Sequence, residues 1–73
     1  MGTLPNLSGR EVVKLLSQDG WVMMRQKGSH IILTKKNHYA TLSVPDHKTI
    51  AKGTLRSLIR ASGLTVAEFL ALT

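Results

Sequence analysis

Residues 21–45 of the chain read WVMMRQKGSHIILTKKNHYATLSVP, and this segment sets the architecture. Runs rich in apolar and β-branched residues predict three strands, at Trp21–Gln26, His30–Lys35 and Tyr39–Val44. The polar segments between them, Lys27–Ser29 and Lys36–His38, have the length of tight turns, which join antiparallel neighbours. The segment therefore predicts a three-stranded antiparallel meander that stops at Pro45.

A helix is predicted immediately before this meander. Ser8 followed by Glu11 matches a capping box, and apolar residues recur at helical spacing from there to Gln18. Asp19-Gly20 then ends the helix, since glycine readily takes the left-handed conformation found at helix ends. The first helix should therefore run from Ser8 to about Gln18.

Two further helices are predicted after the meander. A loop from Pro45 to Ala51 leads to a helix over Lys52–Ser62, which Gly63 ends. Thr65 and Glu68 form a second capping box, for a short last helix that should act as a lid on the core. The order α-β-β-β-α-α predicts one α+β domain over residues 1–73, with helices on one face of the sheet.

Strand alternation sorts the side chains between the two faces of the sheet. Ile31 and Leu33 share one parity, and the matching buried set in the third strand is Ala40, Leu42 and Val44. His30, Ile32 and Thr34 have the opposite parity, and Ile32 is the apolar exception on that side. The pattern therefore predicts that His30 points away from the helices.

The composition favours an anionic partner. Ten Lys and Arg residues against four acidic residues give a formal charge of +6, which on a domain this small suits a polyanion such as nucleic acid. There is no cysteine, no apolar run has the length of a membrane span, and Met1–Pro5 lacks the pattern of a secretory signal. We therefore expect a cytoplasmic protein without membrane association.

Three histidines are the candidates for acid–base chemistry. An imidazole side chain ordinarily has a pKa of about 6.5, so it can both accept and return a proton. His30 heads an apolar strand, and its alternative interpretation is an ordinary surface histidine. His47 could carry a second proton, contact a phosphate or be a plain loop residue, whereas His38 is expected to be exposed in a turn. Neither the histidines nor the acids have ligand spacing, so no metal site is predicted.

Basic residues that could bind a phosphate backbone come from two parts of the chain. Arg25 and Lys27 belong to the first hairpin, where Ser29 joins them beside His30. Lys52, Arg56 and Arg60 are four residues apart and form one stripe on the second helix. These six residues and His47 are the predicted RNA-binding residues, although the stripe could equally be an ordinary solvated helix face. Arg25 is the candidate for stabilising charge on phosphoryl oxygens.

Trp21 and Tyr39 stand near strand starts, and there we expect them to pack in the core or at its rim. Stacking of an RNA base is the less favoured role for Tyr39. With so few aromatic residues, the chain has little means of reading single strands by stacking.

Several motifs together resemble the HicA toxins of bacterial HicA–HicB toxin–antitoxin systems. They are Ser8-Gly9-Arg10-Glu11-Val12, Gly20-Trp21, Arg25-Gln26-Lys27-Gly28-Ser29-His30, Val44-Pro45, His47 and Lys52-Gly53-Thr54-Leu55-Arg56. The resemblance runs from Leu7 to Leu70 and includes the histidine of the Gly-Ser-His tripeptide. The tripeptide is weak alone, but its combination with Pro-x-His and Lys-Gly-Thr-Leu at these separations is specific.

The resemblance implies a fold like that of double-stranded-RNA-binding domains and a ribonuclease that cleaves messenger RNA with no metal or small-molecule cofactor. It also implies that His30 is catalytic and that a HicB antitoxin covers the active face. Two other classes stay open: a non-catalytic double-stranded-RNA-binding module, which needs no imidazole on the sheet, and a small protein whose basic face binds an acidic partner. The last class predicts no salt-sensitive RNA affinity.

Overall fold

The computed structural model describes residues 4–73, and its elements follow the predicted order. They are α1 (Gly9–Gln18), β1 (Val22–Lys27), β2 (His30–Thr34), β3 (Leu42–Pro45), α2 (Lys52–Ser62) and α3 (Val66–Leu70). Residues 1–3, part of the segment judged to lack a secretory signal, lie outside the described residues. The predicted α+β class is confirmed, and no helix in residues 4–73 has the length and apolar character to cross a membrane.

The helix ends form as the local sequence predicts. The Ser8 N–H donates to Glu11 Oε1 at 2.9 Å while the Glu11 N–H donates to Ser8 Oγ at 3.1 Å, so the capping box of α1 is complete. Thr65 and Glu68 make the same reciprocal pair at α3. Gly63 follows α2 with φ 85, in the left-handed region that an L side chain adopts at a cost.

The three strands form one antiparallel sheet in the order β1-β2-β3, which confirms the predicted meander. Helices α1 and α2 pack on the face that carries the predicted buried parity, and α3 packs against α2 and adds Phe69 to the same core. The buried core comprises Leu4, Leu7, Val12, Leu15, Leu16, Trp21, Ile31, Leu33, Leu42, Val44, Ile50, Leu55, Leu58, Ile59 and Phe69. Because Ile31 and Leu33 alternate with the exposed His30 and half-buried Ile32, the opposite face of β2 is left open.

Strand β1 lies at the edge of the sheet and is exposed along its whole length. Its register against β2 shifts between Met23 and Arg25, so Met24 is an extra residue in a β-bulge. Val22, Met23 and Met24 are each more than half exposed. The helices therefore cover β2 and β3 well and leave β1 largely uncovered.

The strand limits differ from the prediction by up to three residues. β1 begins at Val22 because the Trp21 N–H donates to Leu16 O at the end of α1, 3.2 Å away, instead of to a strand. β2 ends at Thr34, and β3 begins at Leu42 where the prediction had Tyr39. Asn37, with φ 64, turns the chain within the intervening loop.

Two side-chain predictions in this loop were wrong. His38 is half-buried, because its ring packs edge-on against Trp21 with centroids 4.8 Å apart. Tyr39, which was expected to pack in the core or at its rim, is 99% exposed. The predicted burial of Ala40 holds only in part, since this residue is half-buried and precedes β3.

Candidate functional site

His30 is the first residue of β2, and its side chain lies on the open face of the sheet. In the ladder it stands opposite Lys27 of β1 on one side and Pro45 of β3 on the other. Directly opposed residues in an antiparallel pair project to the same face. Lys27 is therefore the cross-strand neighbour of His30 on the exposed surface.

The hairpin between β1 and β2 fixes which cations share this face. Gly28 has φ 59, and a positive φ at the first position is what a two-residue hairpin turn requires. The resulting register pairs Lys27 with His30 and Arg25 with Ile32. Arg25 and Lys27 consequently lie on the same face as His30, as the sequence interpretation required.

The loop after β3 is pinned to the same end of the sheet. The Asp46 N–H donates to Ser29 O at 2.7 Å, and the Gly9 N–H donates to His47 O at 2.9 Å. Ser29 thus holds the loop through its backbone, and its side chain stays exposed. His47, also exposed, is brought to the end of the molecule where His30 begins its strand.

A polar network that sequence reasoning missed supports this end of the sheet. Gln26 Nε2 donates to Asp46 Oδ2 at 3.1 Å, and the exposed guanidinium of Arg10 pairs with the same oxygen at 3.3 Å. The network ties β1, α1 and the loop after β3 to one carboxylate. No local pattern predicts this network, because Gln26 and Arg10 are 20 and 36 positions from Asp46 and meet it only in the folded chain.

The cationic stripe of α2 lies in the helical layer, apart from the face of His30. Lys52 Nζ donates to Asn6 Oδ1 at 2.7 Å, which ties this ammonium group to the N-terminal segment. Arg56 and Arg60 are exposed and line a groove of about 270 Å³ between α2 and α3. The structure therefore sets Arg25 and Lys27 on the face of His30, holds the backbone of Ser29 and of the loop with His47 at the same end of the sheet, and places the stripe elsewhere.

The electrostatics of the open face are set mainly by unpaired cations. Within residues 4–73, the cations that pair with a carboxylate are Arg10 and Lys35. Arg25 and Lys27 are thus free to meet an anionic ligand beside His30. The described residues contain no cluster of three or more His, Cys, Asp or Glu side chains that could hold a metal ion.

Chemically, this arrangement can bind a phosphodiester and move one proton. Arg25 and Lys27 supply positive charge for phosphoryl oxygens, and the exposed imidazole of His30 can accept a proton from a bound hydroxyl. The face is open, so a long polymer can lie across it without entering a cavity.

Comparison with known proteins agrees with this geometry. The family described as the HicA toxin of bacterial toxin–antitoxin systems matches residues 9–64. A chain in a solved toxin–antitoxin complex from Streptococcus pneumoniae is 34% identical, with the similarity covering 80% of this chain and 98% of that chain at a TM-score of 0.71. No curated protein sequence matches significantly. The matched region contains His30 and every residue grouped around it.

Proposed function

The chain belongs to the HicA toxin family of bacterial toxin–antitoxin systems, and from this premise we propose that it cleaves messenger RNA with His30 as its catalytic residue. The observation that carries the proposal is the exposed imidazole on an open sheet face beside Lys27 and Arg25. An RNA strand can reach such a residue from solvent. Cleavage of messages in the cytoplasm would arrest translation and growth.

The proposed reaction uses the nucleophile that RNA itself carries. His30 removes the proton of a ribose 2′-hydroxyl, whose oxygen attacks the adjacent phosphorus. The bond from phosphorus to the 5′-oxygen breaks, that oxygen takes a proton from water or from His47, and the products are a 2′,3′-cyclic phosphate and a 5′-hydroxyl. General acid–base help of this kind contributes roughly 10²- to 10⁴-fold in rate. Arg25 would stabilise the charge that develops on the phosphoryl oxygens.

The remaining predicted residues would bind the RNA backbone. Lys27 and Ser29 adjoin His30, and His47 lies at the same end of the sheet. Lys52, Arg56 and Arg60 would hold a more distant part of the strand, because α2 lies behind the sheet. This division predicts that substitutions near His30 affect the rate, whereas those on α2 affect affinity.

Incubation of the purified chain with RNA in excess EDTA tests the proposal. We expect cleavage to persist, because no metal takes part, and the fragments to carry cyclic phosphate and 5′-hydroxyl ends. His30→Ala should abolish cleavage and leave RNA binding within a few-fold. Lys14→Ala, an exposed cation on α1 away from these residues, is the matched control and should cleave like the wild type. Equal cleavage by His30→Ala would reject the assignment.

The second candidate function is a non-catalytic double-stranded-RNA-binding module, which the likeness to that fold favours. A pure binder would retain its affinity and produce no new RNA ends under any condition. Incubation both with and without EDTA therefore separates the two candidates without further variants.

We also propose a HicB-like antitoxin as the protein partner. An acidic partner suits a chain of charge +6. The edge strand β1 also offers that partner an exposed apolar surface, since Val22 is 59%, Met23 56% and Met24 63% exposed. Contiguous exposed apolar residues beside cations are typical of protein interfaces.

Coexpression with the protein encoded by the neighbouring reading frame should relieve the growth arrest that the chain causes in the host cell. Met23→Ser plus Met24→Ser should weaken that relief. Unaltered relief would remove this edge from the interface.

A further inference from the structure

The three aromatic residues of the chain lie in opposite environments. Trp21 is 1% and Phe69 0% exposed, and both fill the core. Tyr39 is 99% exposed, so its ring contributes almost nothing to the core. A single exposed aromatic residue is common on protein surfaces, and the inference therefore depends on how this ring is held.

The Tyr39 ring is backed by a second ring that is itself anchored. His38 and Tyr39 are parallel within 5°, with centroids 5.6 Å apart, which is the offset-stacked arrangement that π-systems prefer. The His38 ring packs edge-on against the buried Trp21. Its Nδ1 accepts a hydrogen bond from the Ala40 N–H at 3.2 Å. The core and the backbone thus fix His38, and His38 orients Tyr39.

The loop that carries the two rings is folded back on itself. The His38 N–H donates to Lys35 O at 3.1 Å, and Asn37 takes the left-handed conformation that closes this turn. Lys35 is in turn held by Asp19 at 3.0 Å. We call the stacked rings of His38 and Tyr39 the platform. Because the platform is held in place before a ligand binds, it loses little conformational entropy on binding.

The end of helix α2 that carries Arg60 lies next to this platform. A Cβ at Gly63, the residue that ends α2, would lie 3.7 Å from His38 Nε2, so the helix end and the ring are neighbours. The Gly63 N–H donates to Arg60 O at 3.1 Å, which places the exposed Arg60 one turn away. Arg56 precedes it along the same groove. The groove that Arg56 and Arg60 line therefore reaches Gly63, whose neighbour His38 stacks on Tyr39.

We propose that Tyr39, backed by His38, is a stacking site for an unpaired RNA base, with Arg60 and Arg56 binding the adjoining phosphates. A positive track combined with aromatic side chains is how proteins bind single strands. The site lies beyond the end of β2 distant from His30, and four residues of strand alone span about 13 Å. It therefore binds a nucleotide other than the one that is cut. This inference rests on the proposed function, since it takes RNA as the ligand.

The site would direct the protein to single-stranded RNA, although the fold resembles domains that bind duplexes. A base in a duplex is already stacked and paired, and exposing it costs energy that an unpaired base does not incur. Stacking on an aromatic ring tolerates any base, so the platform would add affinity without sequence preference.

Fluorescence anisotropy with a labelled 20-nucleotide single-stranded RNA of mixed sequence tests the proposal. The His30→Ala variant serves as parent, so that the probe stays intact. Tyr39→Ser should weaken binding about fivefold or more, whereas Tyr39→Phe should bind like the parent. His38→Ala should also weaken binding, and His38→Phe should restore it. Circular dichroism verifies that each variant is folded.

Salt and strand pairing distinguish stacking from charge. The loss in Tyr39→Ser should be the same factor at 50 and 300 mM salt, because no counterion is released by a stacked base. It should vanish with a duplex of the same sequence. In Tyr39→Trp, the emission of the new exposed indole should be quenched by RNA in parallel with binding.

Distinct results overturn the inference and the proposed function. Equal RNA affinity of parent and Tyr39→Ser overturns the stacking site alone, including the case in which Tyr39 contacts the antitoxin instead. A loss that disappears at high salt also overturns it, since the residue would then act through charge. A parent that binds no RNA, with a wild type that cleaves none, overturns both.

Discussion

Gly9 lies where α1 begins beside the end of β3, and the space there is too small for a side chain. A Cβ at this position would overlap the carbonyl oxygen of Pro45 and lie 3.1 Å from the Cα of Asp46. Relief would require the backbone to separate at the end of the molecule that carries His30. We expect Gly9→Ala to lower the free energy of unfolding by about 1–3 kcal/mol.

The chain offers a matched glycine for comparison. Gly53, in the first turn of α2, has no atom within 4 Å of the position of a Cβ. Gly53→Ala should therefore be neutral or stabilise by up to ~1 kcal/mol, because alanine is the better helix former. Urea midpoints of the two variants supply the measurement. If both substitutions shift the midpoint alike, the close approach at Gly9 does not govern stability.

Single residues also show where sequence reasoning succeeded and where it could not. The exposure of His30 followed from alternation, because Ile31 and Leu33 mark the buried parity of β2 without ambiguity. The environments of His38 and Tyr39 did not follow, since a loop has no periodicity. Their positions depend on Trp21 and Gly63, which are distant in sequence and meet the loop only in the folded chain.

At the scale of the element, the capping box of α1 makes stability depend on pH. Hydrogen bonds from the backbone and the side chain of Ser8 lower the pKa of Glu11 below its ordinary value of 4.5. A carboxylate with a lowered pKa stabilises the fold above its unfolded pKa, and this contribution is lost as the pH falls through the folded value. We expect Glu11→Gln to reduce the loss of stability on acidification below pH 4.5.

Unfolding curves of wild type and Glu11→Gln between pH 2.5 and 7 check this expectation, with all other groups identical in the two proteins. The curves should converge in acid, separate as the pH rises through the lowered pKa of Glu11, and reach their full separation above about pH 4.5. Because Glu11 is exposed, 0.5 M salt should narrow the separation. A constant difference across the range would mean that the charge of Glu11 has no part in the cap.

Helix α2 carries an electrostatic prediction of its own. If Arg56 and Arg60 bind phosphates, each releases counterions and adds about 0.7 to the slope of log affinity against log salt. Arg56→Ala plus Arg60→Ala should therefore weaken RNA binding most at low salt and flatten that slope by roughly 1.4. Lys14→Ala on α1 is the control and should leave the slope unchanged. An unaltered slope in the double variant would place the RNA elsewhere.

Strands were harder to place than helices for a physical reason. A helix closes its hydrogen bonds locally, so Ser8, Gly63 and Thr65 fixed helix ends that the structure confirms. A strand ends where its partner ends, and the bulge at Met24 or the late start of β3 at Leu42 depends on residues far along the chain. The pairing of Lys27 with His30 could be predicted because the two-residue turn at Gly28 sets it locally.

For the molecule as a whole, the small core both exposes a large surface for ligands and limits the stability that substitutions can remove. The sheet is covered on one face only, and a chain of 73 residues has a thin core. The open face and the exposed edge of β1 are available for ligands because no second layer formed by residues 4–73 covers them. The same architecture leaves stability dependent on a small number of buried side chains.

Phe69 of α3 is a buried side chain whose removal should lower the free energy of unfolding strongly. It lies outside residues 9–64, which match the family, yet it is 0% exposed and belongs to the same core as Ile31 and Leu33. Removing a buried phenylalanine costs about 3–5 kcal/mol, while a domain of this size has a total of roughly 4–11 kcal/mol. We expect Phe69→Ala to lower the free energy of unfolding by about 3–5 kcal/mol, and circular dichroism during a urea titration measures the change. Ala67→Ser, exposed in the same helix, should unfold like the wild type. A wild-type midpoint for Phe69→Ala would mean that α3 is dispensable and that the core closes without it.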